Sequence, residues 1–316
     1  METIYVSHER CSVRREGEHL RLVRSGRTFA SLHLQNTKTV VLHDSVNITA
    51  PAIDLLLAKG IDVVYQSRTG KIKGRIMSAK GSSAITRLAQ YTAFTNPTRR
   101  LEIAKAIVAA KIHNQLSVVK KYKYYNSSRD YGHHIKLITS YTKQIELADS
   151  VDKVMGIEGI SAKYYWDCFR HNLKNPAFTR REYRPSPDYV NALLNLGYSF
   201  LANEITTCLL IKNLDIEIGF LHSIHYGRNS LVLDIMEEFR PVCIDAWILS
   251  ILNKNLLKEK HFHILTGDWQ LTDKGFNKFC ELYYEYITSW RDKFKMQADK
   301  FKRAIVKGEC YEPYAK

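Results

Sequence analysis

No stretch of the 316 residues is apolar for long enough to cross a bilayer, which excludes a helical membrane protein. The N-terminal run METIYVSHERCSVRREGEHL has no long apolar core, so no secretory signal peptide is expected. The six cysteines are scattered, without a Cys-x-x-Cys pair. That spacing predicts reduced, mostly buried thiols in a cytoplasmic protein. A Gly-x-x-x-x-Gly-Lys-Ser/Thr loop is also missing, so nothing points to ATP use. We find neither an internal repeat nor a low-complexity tract. Negative charge is scarce: Asp and Glu number 32 against 47 Lys and Arg, leaving a formal charge of +15 and a pI of about 9.4. The excess points to a polyanionic partner, with nucleic acid ahead of an acidic membrane surface.

Hydrophobic residues make up 45% of the chain, enough for one large core or two ordinary ones. The pattern predicts an α+β protein, with a small N-terminal β-rich domain over residues 1–77, a linker at 78–84, and a large all-α domain over 85–316. In the first part TIYV, CSVRR, HLRLV, SLHLQ, TVVLH and IDVVY read as short strands separated by turn formers. One helix interrupts them, with Thr49 as its cap, Pro51 in its first turn and Gly60 as its stop. VVYQSRTGKIKGRI reads as a hairpin turning near Arg68-Thr69-Gly70. Beyond the linker, SAITRLAQYTAF is helical until Asn96-Pro97 breaks it, a long helix follows, and NSSRDYGHH reads as a polar loop.

Three segments carry residues with chemistry. In MGIEGISAKYYW, Glu158 stands between Gly156 and Gly159, ahead of an apolar, aromatic helix. It either satisfies a helix N-terminus or serves a site. In GFLHSIHYGRNSLVLDIMEEFRP, His222, Asp234, Glu237 and Glu238 sit among apolar residues. Burying a carboxylate without a partner costs several kcal/mol, so the segment calls for a metal ion or for salt bridges to Arg228 or Arg240. Asn229 or Ser230 can cap a helix from Leu231, on which Asp234 lies i,i+3 from Glu237 and i,i+4 from Glu238; periodicity leaves the choice between the two glutamates open. In RREYRPSPDYVNALLNLGYS, Arg180, Arg181 and Arg184 precede two prolines, and Asp188 caps an apolar helix. Guanidinium forks suit phosphate, though such a cluster can equally be a solvated loop. One Glu, one His and a second carboxylate form an oxygen- and nitrogen-rich set that suits Mg2+ or Mn2+ better than a closed zinc site.

In order along the chain, GIEGISAKYYW, SPDYVNALLNLGYS, GFLH and RNSLVLDIMEEFRP resemble the diagnostic blocks of the CRISPR-associated integrase, the nuclease of spacer acquisition. The N-terminal TVVLHDSVNITAPAIDLLLAKGIDVVYQSRTGKIKGRI resembles that family's strand-helix-strand passage, so the resemblance covers nearly the whole chain. It implies a metal triad of Glu158, His222 and Glu237, with Asp234 as a further catalytic residue beside it. It also implies DNA contacts from Arg180, Arg181, Arg184, Arg228 and Tyr165. The implied reaction is attack of a DNA 3′-hydroxyl on a phosphodiester of the CRISPR repeat. The implied assembly is a homodimer, using the N-terminal domain for dimerisation and DNA contact, with double-stranded or branched DNA and a small ferredoxin-like CRISPR-associated subunit. Two rival readings are a general branched-DNA repair nuclease and a DNA-binding scaffold without activity.

Overall fold

The computed structural model describes residues 3–7, 10–67, 70–77, 83–125, 130–174 and 178–316. They divide into two compact units, Met1–Thr86 and Arg87–Lys316. Most of the expected linker, together with Arg68 and Thr69 and the start of the NSSRDYGHH loop, lies outside the described residues. Among the described residues no helix is long and apolar enough to cross a membrane.

The described residues of the first unit form β1 (Thr3–Val6), β2 (Ser12–Glu16), β3 (His19–Arg24), β4 (Arg27–Leu32), β5 (Thr39–His43), β6 (Asn47–Ile48), α1 (Ala50–Ala58), β7 (Asp62–Gln66) and β8 (Ile72–Ile76). One sheet runs β1-β5-β7-β8 and the other β4-β3-β2-β6. In the first, β1, β5 and β7 are parallel, while β8 returns antiparallel to β7, pairing Ile76 with Val63, as the hairpin pattern predicts. The central strand β5 is buried along Thr39–Leu42, which explains its unbroken TVVL run. The fourth strand begins earlier than SLHLQ suggests. Ser25 and Gly26 both take positive φ, 49° and 78°, forming a two-residue turn that sets Arg27 opposite Arg24. Thr49 precedes α1, but its hydroxyl donates to the Val13 carbonyl rather than capping the helix. Ala52, Leu55 and Leu56 of α1 join Val13, Leu20, Val40 and Val63 in one core.

The second unit is helical: α2 (Ser83–Thr95), which belongs to it from Arg87 onward, α3 (Pro97–Tyr125), α4 (Gly132–Leu147), α5 (Val151–Asn172), α6 (Tyr189–Ile211), α7 (Ser230–Phe239), α8 (Ala246–Asn253), α9 (Asp273–Ile287) and α10 (Arg291–Lys307). Pro97 opens α3 where its missing N–H costs nothing. A hairpin, β9 (Phe262–Leu265) and β10 (Asp268–Leu271), stands between α8 and α9. Its strands, four residues each and largely unburied, are too short and weakly patterned to stand out in the sequence. The core is aromatic and aliphatic, with Phe220, Phe239, Phe279, Phe294 and Phe301 fully buried. All six cysteines are free thiols, and Cys11, Cys168, Cys208 and Cys243 are buried.

Candidate active site

Three helices carry the central side chains. On α3 the buried stripe runs Ala104, Ile107, Lys111, Asn114, Gln115 and Val118, so a lysine occupies an apolar position at helical spacing. On α5 the inward stripe includes Val154, Ser161, Tyr165 and Cys168, and Glu158 falls between Val154 and Ser161. Glu158 is therefore in mid-helix, not at an entrance: Ser150 caps α5 by accepting from Lys153 N, and both flanking glycines are helical. On α7 nearly every residue is buried, Asp234, Glu237 and Glu238 included.

These helices bring Glu158 and Glu237 to either side of one ammonium. Lys111 Nζ donates to Glu158 Oε1 and contacts Glu237 Oε2. Glu237 Oε2 is buried and receives no well-aligned hydrogen bond, only this charge. Its other oxygen, Oε1, is held by Arg240 Nη1 at 2.8 Å. Burial by itself raises the carboxyl pKa of Glu237, but Arg240 and Lys111 outweigh it and hold the group below the usual range. For Lys111, burial lowers the pKa and the two carboxylates more than reverse that.

His222 comes to the same region from the loop before α7, and Asp234 fixes its orientation. The Asp234 carboxylate accepts from Phe220 N (2.5 Å), Leu221 N (2.9 Å), His222 N (3.0 Å) and His222 Nδ1 (2.7 Å). A carboxylate on Nδ1 selects the Nδ1–H tautomer and leaves the Nε2 lone pair for a ligand. Gly219 is required for this wrap: a Cβ there would lie 2.7 Å from the Ser230 carbonyl carbon and 2.9 Å from Asp234 Oδ2. Asp234 is thus fully buried behind the imidazole with both oxygens occupied. Glu238 faces the opposite way. It accepts from Tyr311 Oη (2.5 Å) and Tyr314 N (2.8 Å), pinning the C-terminal residues to α7.

A cavity of about 600 Å3 opens beside these groups, lined among others by Lys111, Glu158, His222, Arg181, Arg228 and Arg240. The chain widens into a π-helical turn at Arg240–Asp245 directly after α7. Pro241 has no N–H to donate and its ring crowds the carbonyl four residues back, which accounts for the wide turn. That turn places Arg240 over the Tyr198 ring, 4.7 Å from its centre, and Arg181 lies near the same ring at 5.2 Å. Asp245 holds the ring in place, accepting from Tyr198 Oη at 2.5 Å and Tyr165 Oη at 2.9 Å.

The arginine and tyrosine expectations divide. Tyr165 is 1% exposed with its hydroxyl on Asp245, so it supports the cavity floor and has no surface to offer DNA. Arg181 is half-buried and donates to Asn191 Oδ1 (3.0 Å) and Asn195 Oδ1 (2.5 Å), tying its loop to α6 while lining the cavity. Arg180 is exposed and paired with Glu182 at 2.7 Å. Arg184 is exposed beside the Tyr183 ring. Asp188 caps α6 as expected, accepting from Asn191 N at 2.8 Å. Lys111, Tyr198 and Asp245 were not singled out by sequence. For Lys111 a signal existed, a charged residue in the apolar stripe of AAKIHNQ.

Burial is the chief cause that pushes the Asp245 carboxyl from 3.8 up to about 6, against the two tyrosine hydrogen bonds. Between those values the folded protein keeps a proton that the unfolded chain has lost, so stability falls as pH rises through that window. Asp245→Asn is expected to flatten this part of the curve, read as urea midpoints at a series of pH values. Parallel curves for the two proteins would contradict it.

Carboxylates and an imidazole in a basic hollow are the equipment of enzymes that act on nucleic-acid phosphates. The profile described as "CRISPR associated protein Cas1" matches residues 4–285. The chain belongs to that family. CRISPR-associated endonuclease Cas1 3 from Thermus thermophilus is 30% identical over 283 residues, covering 89% of this chain and 83% of that protein. A solved CAS1 structure from Thermotoga maritima aligns with a TM-score of 0.71 at 26% identity, covering 100% of both chains. Two others share the fold: a casposase bound to integration product (TM-score 0.76, 21% identity, 98% of this chain and 96% of that one), and a partial Cas6-RT-Cas1–Cas2 complex (0.82, 20%, 100% and 99%).

Proposed function

We propose that this chain is a divalent-metal-dependent DNA endonuclease and integrase, which inserts spacer DNA into a CRISPR array. The observation that carries the reading is the opposed pair Glu158 and Glu237, drawn together around one buried cation at the wall of a basic cavity. Curated relatives named as endonucleases support it, as does the fold shared with a casposase bound to integration product.

The residues fit a hard or borderline cation. Among the described residues no three His, Cys, Asp or Glu side chains yet converge on one point. The donor set is nevertheless suitable, with the oriented Nε2 of His222, an oxygen of Glu158 and the under-satisfied Oε2 of Glu237. These three residues would hold Mg2+ or Mn2+, the imidazole favouring the softer Mn2+. Bound there, the ion supplies Lewis-acid stabilisation of charge on the phosphoryl oxygens.

The other roles belong to the protein. Arg181, Arg228 and Arg240 line the cavity and give a phosphate three guanidinium groups. Asp234 keeps His222 in one tautomer, and Arg240 fixes Glu237. The 3′-hydroxyl oxygen of the incoming strand forms a bond to the repeat phosphorus, and the bond from phosphorus to the repeat's own 3′-oxygen breaks. The proton leaves the attacking oxygen and the departing oxygen gains one, so the exchange balances without a reductant or a nucleotide. Water in place of the 3′-hydroxyl gives cleavage. The assembly we propose is a homodimer with a small ferredoxin-like CRISPR-associated subunit, supported by the shared fold in the Cas1–Cas2 complex.

The test is half-site integration into a plasmid with or without a CRISPR repeat, in the presence of the small subunit. Joining that requires the repeat and the subunit supports the reading. Cleavage of branched DNA indifferent to both would instead mark a repair nuclease, and binding without cleavage or joining a scaffold.

Duplex affinity is expected to fall steeply with salt, because each neutralised phosphate releases counterions. Arg180→Ala with Arg184→Ala should flatten the slope of log affinity against log salt by up to about two contacts' worth. An unchanged slope would make that loop a solvated one. Arg181→Ala should also loosen the start of α6, since its guanidinium bridges Asn191 and Asn195.

A further inference from the structure

We propose that Lys111 is a resident cation of this site: its ammonium holds Glu158 and Glu237 together while no divalent ion is bound, and a divalent ion must displace it to bind. The inference rests on the metal-site reading above and adds to it a competitor built into the chain.

The geometry carries the inference through the particular oxygens involved. Glu237 Oε1 is committed to Arg240 at 2.8 Å, so the oxygen left for any other cation is Oε2. Lys111 Nζ occupies that oxygen, and it also occupies Glu158 Oε1. An ion bridging the two helices has to take the same position. Without a cation there, two carboxylates whose side chains are 25% and 3% exposed would face each other across a poorly screened gap. A lysine in the apolar stripe of α3 removes that repulsion and keeps α5 and α7 in register. Lysine suits the task better than arginine, being a compact point charge on a flexible stem rather than a fixed fork. It also has somewhere to go, because Lys111 lines the open cavity and its Nζ can swing toward the space that phosphate would fill.

Calorimetric titration of the chelator-treated full chain with MnCl2 tests this, together with melting curves in the presence and absence of Mn2+. Lys111→Met removes the charge and keeps the length. It is expected to melt lower than wild type without metal, to recover on adding Mn2+, and to bind Mn2+ at least about fivefold tighter, the low end of coupling between linked ligands. Lys111→Arg, which keeps a cation, should stay near wild-type affinity. A merely structural lysine would lower the melting temperature equally with and without Mn2+, and Mn2+ affinity in Lys111→Met equal to or weaker than wild type overturns the proposal. Should Lys111→Met fail to fold in either condition, wild-type crystals grown with and without Mn2+ decide: Nζ displaced from between the carboxylates supports displacement, and Nζ unmoved beside a bound ion refutes it. If neither wild type nor variants bind Mn2+, the metal-site reading falls as well. If wild type binds and Lys111→Met binds no tighter, this inference falls alone.

Discussion

Replacing Glu158, His222 or Glu237 by alanine is expected to reduce strand transfer and cleavage by more than about a hundredfold in each case, beyond the 10- to 100-fold loss typical of a residue that only supports a metal ligand. On the proposed metal-site reading each would supply a different donor to one ion, and no neighbouring carboxylate is free to replace it. Asp234 has both oxygens on the backbone and on His222. Glu238 points away and holds Tyr311 and Tyr314. The control is therefore Glu238→Ala, which should lose thermal stability, because it leaves a buried tyrosine hydroxyl and a backbone N–H without their acceptor. Single-turnover rates and melting temperatures measured on the same preparations separate the two cases. A Glu237→Ala protein with normal turnover, beside a fully stable but inactive Glu238→Ala, would put the ligand on the other face of α7.

Asp234→Ala is expected to cost about 3 kcal/mol or more of folding stability, because each buried donor left without an acceptor costs about 1–3 kcal/mol. Three backbone N–H groups, those of Phe220, Leu221 and His222, lose their acceptor together. Activity should fall with it, since the imidazole loses its tautomer and its aim. Asp234→Asn keeps the volume but places an amide NH2 where an acceptor is needed, so it should fall between wild type and alanine. Urea midpoints with an unchanged slope read the effect. Stability within about 0.5 kcal/mol of wild type for Asp234→Ala, the range typical of neutral surface changes, would contradict the account.

The strands of TIYV, TVVL and IDVVY were legible because β-branched runs between turn formers have few other uses. The break at Asn96-Pro97 and the Asp188 cap were legible because each rests on a local rule of backbone geometry. SLHLQ was misplaced because the Ser25-Gly26 turn set the register, and a serine at positive φ leaves little trace in sequence. Glu158 was visible as a residue of interest, but its two glycines suggested a helix entrance. Tertiary packing carries α5 straight through both. Asp234 and Glu237 share one helix and one chemistry, and periodicity alone does not assign one to the backbone behind His222 and the other to the Lys111 ammonium. That division comes from Gly219, which lets the preceding loop close over Asp234. Tyr165 shows the opposite limit: the resemblance implies a DNA contact, whereas its burial and its hydrogen bond to Asp245 give it a supporting role.

Crystals of the full chain soaked in Mn2+, with anomalous scattering recorded at the manganese edge, test the central claim most directly. The account predicts one peak bounded by Glu158, Glu237 Oε2 and His222 Nε2, with Asp234 still on His222 Nδ1. A soaked crystal with no peak in this cavity, or with manganese held only by carboxylates elsewhere, would contradict it.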